Sequence, residues 1–303
     1  MTPRSRLHQH ASSEKLGVVR IVVFGFLCLY ALLTPIERLT LLPPDVFEPR
    51  GVLLYLPSSV RALLQSHQGL SVLRWTLVGL SLACSMGVRG YKILAPLCVL
   101  AFVTFEATLC MGANSHRELL LIYCTMVLAF VPANASLSLS TTPTPPSASP
   151  ALPLHVLSFA LLFSYSVTAF YRLAHGAPDV FLDHSMAAHM VSNAGRSGSF
   201  GWEFGQSFVD MVGPTSAALG AMLFFGTLLE AAALGALLSD RFRVLFAFGV
   251  VAFHTANLFL LNIEFFLNCG LVLLLLLDWD PWKRSQERDV AEPPAAPLHT
   301  ATD

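Results

Sequence analysis

Charge is what this sequence has least of. Of its 303 residues, 12% are Asp, Glu, Lys or Arg, against about 25% in an ordinary soluble domain. A water-exposed surface cannot be built from so few. The net charge of −1 supplies no basic field, which excludes nucleic acid as a partner. Six cysteines are scattered at 28, 84, 98, 110, 124 and 269. With no CxxC pair and no histidine-rich cluster, neither a disulfide framework nor a metal site is expected. Lysine occurs only at 15, 92 and 283. No internal repeat is visible, which weighs against a transporter built on repeat symmetry.

What the chain does have is apolar length. Hydrophobic residues make up 54% of it, and the mean hydropathy is +0.63. The charges gather in the first fifteen residues, in short connections and after Asp278, leaving runs near the ~20 residues that cross a bilayer core. The expected class is all-α, a polytopic transmembrane helix bundle of about eight spans. Residues 1–15 are read as a cytoplasmic N-terminal segment, 16–282 as the transmembrane domain and 283–303 as a disordered cytoplasmic tail.

The spans expected are 16–36, 70–88, 91–112, 118–135, 151–173 and 214–238, with Pro214 in a first helical turn, where its missing N–H costs little. The first of them is read as a retained helix. Past Arg243, the stretch to Leu277 carries one formal charge, Glu264. It is long for one crossing and short for two, so a tight hairpin bent near Asn262–Glu264 is expected. With the N-terminus cytoplasmic, eight crossings return Arg89 and Lys92, Arg241 and Arg243, and Lys283, Arg284 and Arg288 to the same side, as the positive-inside rule requires. Residues 136–150 read as a flexible Ser/Thr/Pro linker. Two long outer loops follow, 37–69 and 172–213, and 53–64 has the look of an interfacial helix.

Ionisable groups at membrane depth cost roughly 2.5–3.5 kcal/mol each on insertion scales, so each calls for a partner or a role. Arg20 and Arg74, near helix ends, are expected to snorkel to the interface. Glu106 and His254 lie deeper, with Asn257 on the same helical face as His254; Glu230 lies in the inner half of its span. Each is read either as an interhelical hydrogen bond or as the wall of a polar cavity. Asn114, His116 and Arg117 open the fourth helix at the outer face, and Arg172 closes the fifth there. Asp179, Asp183, His184 and His189 are polar candidates in the 172–213 loop.

These pieces resemble the HTTM family, the membrane domain shared with the vitamin K-dependent gamma-carboxylase. The resemblance rests on the opening span with its arginine (LGVVRIVVFGF), on Asn114 to His116, on SYSVTAFYRL followed by FLDHSM, and on FHTANLFLLNIEFF with His254 and Asn257 in a Phe-His-x-x-Asn pattern. It covers about residues 10 to 282. It implies a bundle whose cavity opens to the outer or lumenal face, a quinone cofactor, and His116 in an assisting role. In the carboxylase a lysine closing the fifth helix is the base that deprotonates reduced vitamin K. The matching residue here is Arg172, and a guanidinium is not a base near neutral pH. The carboxylase's C-terminal lumenal domain has no counterpart in this sequence either, so glutamate carboxylation is not expected.

The function expected is an outward-facing polar pocket for a lipid- or quinone-like molecule within the bilayer. His116 and Arg172 are its catalytic candidates, as acid/base and oxyanion stabiliser. Asn114, Arg117, Glu106, His254 and Asn257 are its ligand-binding candidates. Whether it turns the molecule over is left open: the alternatives are a non-catalytic lipid-binding or assembly protein and a small-molecule transporter.

Overall fold

A computed structural model describes residues 8, 11–43, 51–110, 119–140, 149–176, 181, 185–194, 203–277 and 279. Among these residues the fold is helical throughout, with no strand. Each apolar run of the sequence becomes a helix, because within a bilayer only an α-helix satisfies its own backbone without water.

The N-terminal half is built from α1 (Ser13–Leu33), α2 (Ser58–Leu64), α3 (His67–Met86), α4 (Tyr91–Leu109) and α5 (Leu119–Ala129). Ser12 caps α1 by accepting from the Lys15 amide at 3.1 Å, and Ser66 caps α3 through the Gly69 amide at 3.0 Å; each satisfies an amide that the first turn leaves unpaired. Gly87 and Gly90 take positive φ, +65° and +89°, and reverse the chain between α3 and α4 where a side chain would be strained. The short helix α2 has no buried residue, as an interfacial segment would. α1 packs on α3, α3 on α4 and α4 on α5, with α2 against α3 and α1 also against α5.

The C-terminal half comprises α6 (Ala151–Gly176), α7 (Ser185–Ala194), α8 (Phe204–Val212), α9 (Ala217–Ala231), a 3-10 turn (Ala233–Leu237), α10 (Asp240–Leu261) and α11 (Phe266–Leu276). The halves meet where α5 packs on α6 and α1 on α11, around one core that includes Phe24, Phe102, Leu161, Phe246 and Leu271. A second, smaller core of Ala187, Met190, Val209 and Leu219 joins α7 and α8 to the start of α9 and the end of α10. There Gly205 lets α8 lie on the Leu260 carbonyl: a Cβ would fall 2.0 Å from its oxygen. The 172–213 loop is thus in part a helical cap on these helix ends.

Among the described residues, five helices are long and apolar enough to cross a membrane: α1, α3, α4, α6 and α10. Three more, α5, α9 and α11, are apolar but have 11, 15 and 11 residues. Each shortfall has a local cause. The span expected over 118–135 stops at Ala129 because Pro132 disfavours helix at the residue before it. The span expected over 214–238 begins after Pro214, with Ser216 as its cap, and tightens to 3-10 geometry beyond Ala231.

Two expectations about charge are corrected. Arg20 does not snorkel. It is fully buried and donates to the carbonyls of Ala133 (3.0 Å), Ser136 (3.3 Å) and Leu137, and to the Ser138 hydroxyl. Residues 136–140 are therefore tied rather than a loose linker; the Leu139 and Ser140 amides also bond Met86 and Gly87 carbonyls. The rest of that linker, 141–148, lies outside the described residues. Arg74 also turns inward, donating to the Ala31 and Leu32 carbonyls at 3.0 and 2.7 Å and to Glu37. It caps α1 at the end where a cation is favoured.

Candidate functional site

The α10–α11 hairpin sets the geometry of the deepest polar groups. Arg243 Nε donates to the Leu276 carbonyl at 3.0 Å, and the rings of His254 and Phe265 pack at 4.5 Å. From Arg243 up to His254, and from Leu276 up to Phe265, the chain covers eleven residues, a rise of about 16 Å on each helix. The two helices therefore run side by side to the level of His254. There α11 ends, while α10 continues about two turns further to Leu261. Asn262 reverses the chain in left-handed geometry, φ +53°, and residues 263–265 descend without helical structure to the start of α11. The bend falls where Asn262–Glu264 placed it, but the return arm is a half-helix rather than half of a tight hairpin.

At that level His254 is 4% exposed. Its Nε2 lies 2.7 Å from the Tyr165 hydroxyl of α6, and its Nδ1 has no hydrogen-bond partner among the described residues. Asn257 is one turn outward on α10 and half-buried. The Asn268 side chain, in the first turn of α11, approaches the Tyr165 hydroxyl as well. Gly226 of α9 makes room for Phe253 next to His254: a Cβ there would fall 2.5 Å from the ring.

Two turns outward on the same face of α6, Arg172 Nη1 donates to Glu230 Oε2 and to the Thr227 hydroxyl, both at 2.8 Å. Thr227 in turn donates to the Leu223 carbonyl at 2.8 Å. The carboxylate side chain is 8% exposed and the guanidinium side chain 26%. The remaining N–H groups of Arg172 make no hydrogen bond among the described residues. Arg172 stands about 10 Å along α6 from Tyr165, and the Glu230 carbonyl lies 3.5 Å from the Ser166 hydroxyl, so the ion pair and the Tyr165–His254 pair make one polar column through the α6, α9, α10 and α11 interface.

Of the residues singled out from the sequence, Arg172, Glu230, His254 and Asn257 belong to this column. Glu106 does not join it. It is buried on α4, a turn from Phe102, whose ring packs against Tyr30; α4 packs on α3 and α5 in the other half. Asn114, His116 and Arg117 lie outside the described residues, as do Asp179, Asp183 and His184, and His189 is exposed on α7. No group of three or more His, Cys, Asp or Glu side chains is placed to hold a metal among the described residues.

Sequence reasoning missed Tyr165 and the Arg172–Glu230 pair. Both left a trace. Tyr165 precedes Arg172 by seven residues, two turns on one face. Arg172 and Glu230 are opposite charges in apolar helices, where each needs a counter-ion.

No family model, characterised protein sequence or solved structure matches the chain.

Proposed function

We propose that this chain is an integral membrane protein of the HTTM type with eight crossings and both termini cytoplasmic. It holds a lipid- or quinone-like molecule in a polar pocket that opens to the outer face of its C-terminal half. The observation that carries this reading is the column Arg172–Glu230, Tyr165–His254. Polar side chains at such depth are expensive, and two of them keep donors or acceptors that no described residue uses.

Arg172 serves the pocket as a fixed positive group that stabilises negative charge on an oxygen, not as a base. Glu230 holds it in place and offsets its charge. His116, read from the sequence, remains the acid/base candidate. A second reading, a non-catalytic lipid-binding or assembly protein, is favoured by the same ion pair, since a guanidinium bound to a carboxylate has lost part of its reach.

Mass spectrometry of small molecules that co-purify with the chain in mild detergent is the direct test. A quinone or lipid near one per chain supports the pocket, and its absence from repeated preparations sinks it. Turnover of that molecule lost in His116→Ala distinguishes an enzyme from a binder. Reporter fusions after residues 90 and 285 should both report cytoplasm; opposite answers break the count of eight.

A further inference from the structure

We propose that the N-terminus of α11 and His254 together form the seat for an acceptor oxygen, a carbonyl or a carboxylate, carried by an otherwise apolar molecule. The inference rests on the pocket reading above and says which end of the molecule goes where.

The first observation is the helix end. An α-helix leaves its first amides without intrahelical partners, and its dipole makes that end electropositive. Phe265 precedes α11 and offers no side-chain cap. The amides of Leu267 and Asn268, in the first turn, make no hydrogen bond among the described residues. At an interface water would satisfy them. Here the register with α10 places them about 16 Å from the Arg243 end, within the thickness of a bilayer core. Broken helices at such depth are tolerated where the broken end meets protein or lines a cavity, and their N-termini receive electron-rich groups.

The second observation is independent of the first. His254 is 96% buried by the same measure that gives 4% exposure, and its ring packs on Phe265, the residue that opens α11. One nitrogen is committed to Tyr165. A phenol donates to a neutral imidazole more readily than it accepts. The Nδ1 of His254 then carries a proton with no acceptor among the described residues. An imidazole N–H and two backbone amides, at one depth and one helix end, are all donors. What satisfies them is an oxygen lone pair. The surroundings, Phe253, Phe265 and Phe246 among them, accept the apolar remainder of the molecule.

The test uses the full chain in mild detergent with two probes, decylubiquinone and palmitate, each carrying 13C at its carbonyl or carboxyl carbon. Infrared difference spectra of the wild type should show the labelled C–O band moved by hydrogen bonding for one of them. His254→Phe should weaken that probe by about tenfold or more, the loss expected for one good hydrogen bond, and return the band toward its free position. Leu267→Pro deletes one amide at a first-turn position where proline is tolerated, and should weaken the same probe with the melting temperature retained. Binding by the quinone alone assigns a neutral carbonyl; binding by palmitate alone assigns a carboxylate. A probe that binds the wild type with an unshifted band overturns this inference while the pocket stands. Failure of both probes to bind, with no co-purified lipid or quinone, removes the pocket as well.

Discussion

Arg20 and Arg172 are both arginines set into apolar helices, and the bundle satisfies them differently. Arg20 meets only uncharged oxygens, those of Ala133, Ser136, Leu137 and Ser138. All come from one short segment, and the residue is fully buried. Arg172 meets a carboxylate and one hydroxyl through a single Nη, and a quarter of its side chain is accessible. The first arrangement commits both Nη groups of the guanidinium to folding a segment, with Nε alone left without a partner among the described residues. Leu137 even adopts left-handed geometry, φ +49°, at a cost on the order of 1–2 kcal/mol for a non-glycine residue, to aim its carbonyl there. The second arrangement leaves donors over. A buried charge that binds backbone is part of the scaffold; one that retains unused donors at the edge of a pocket is available to a ligand.

The largest effect expected from this contrast is at Arg20. Arg20→Leu removes a buried cation that four acceptors have been arranged around, one of them, the Ala133 carbonyl, in a fully buried bond. The loss should be about 3–5 kcal/mol, as for breaking a buried charged network from one side. It should show as a large fall in melting temperature in detergent, with 136–140 becoming accessible to protease. A variant that melts within a degree of the wild type would show that the cage is decorative and that the two arginines do not differ in kind.

At Arg172 the expected loss is of binding rather than fold. Arg172→Lys keeps a positive charge near Glu230 and should keep part of the affinity for a co-purified or added ligand. Arg172→Ala should lose it and leave Glu230 buried without its partner, at roughly 1–3 kcal/mol of stability. Equal binding by the two variants would mean that the charge is not what the ligand reads.

The sequence carried the helices far better than their partners. Hydropathy is a property of one segment, so α1, α3, α4, α6 and α10 emerge within a few residues of their expected bounds. Pro132 and Asn262 mark where two helices stop, for reasons local to each residue. The Arg20 cage is different in kind: its acceptors are backbone carbonyls more than a hundred positions away, and backbone carbonyls have no sequence signature. Arg172 and Glu230 are also far apart in sequence, yet their pairing follows from cost alone, because an apolar helix leaves a charge few alternatives. Glu106, His254 and Arg172 were grouped by depth. Depth cannot say which half of the bundle a face looks into, and Glu106 proved to face the other half.

Tyr165→Phe gives a smaller expected effect. It deletes the 2.7 Å contact to His254 while keeping the ring against Phe246, and should cost about 1 kcal/mol. If Tyr165 and His254 act as one unit, the double variant Tyr165→Phe, His254→Phe should cost clearly less than the two single losses added together. Additive losses would separate the pair and leave the column without its inner member.

The smallest expected change in global stability is at the opposite end of the bundle, where His8 closes the N-terminal segment onto α6. His8 Nε2 lies 3.0 Å from the Ser158 hydroxyl, and its ring meets His155 edge-on at 5.3 Å. Burial, reinforced by the nearby cations Lys15 and Arg243 and by His155, pushes its pKa down from 6.5 to about 3. Between those two values the released segment binds a proton that the docked segment refuses. Docking therefore strengthens as pH rises through this window, is unpenalised above about 6.5, and weakens progressively below it. The cost to the whole fold is capped by the free energy of releasing one short segment, because a protonated His8 leaves its site rather than unfolding the bundle. Melting temperature should move little on going from pH 7 to pH 5. Amide exchange of residues 8–15, corrected for its intrinsic pH dependence, should quicken by an order of magnitude or so over that range, about one decade per pH unit below 6.5. His8→Gln keeps a hydrogen-bonding side chain for Ser158 and removes the titration, so its exchange should be flat with pH. Wild-type exchange that is equally flat would show that the segment does not dock through His8, and that this end of the bundle is held by its other contacts.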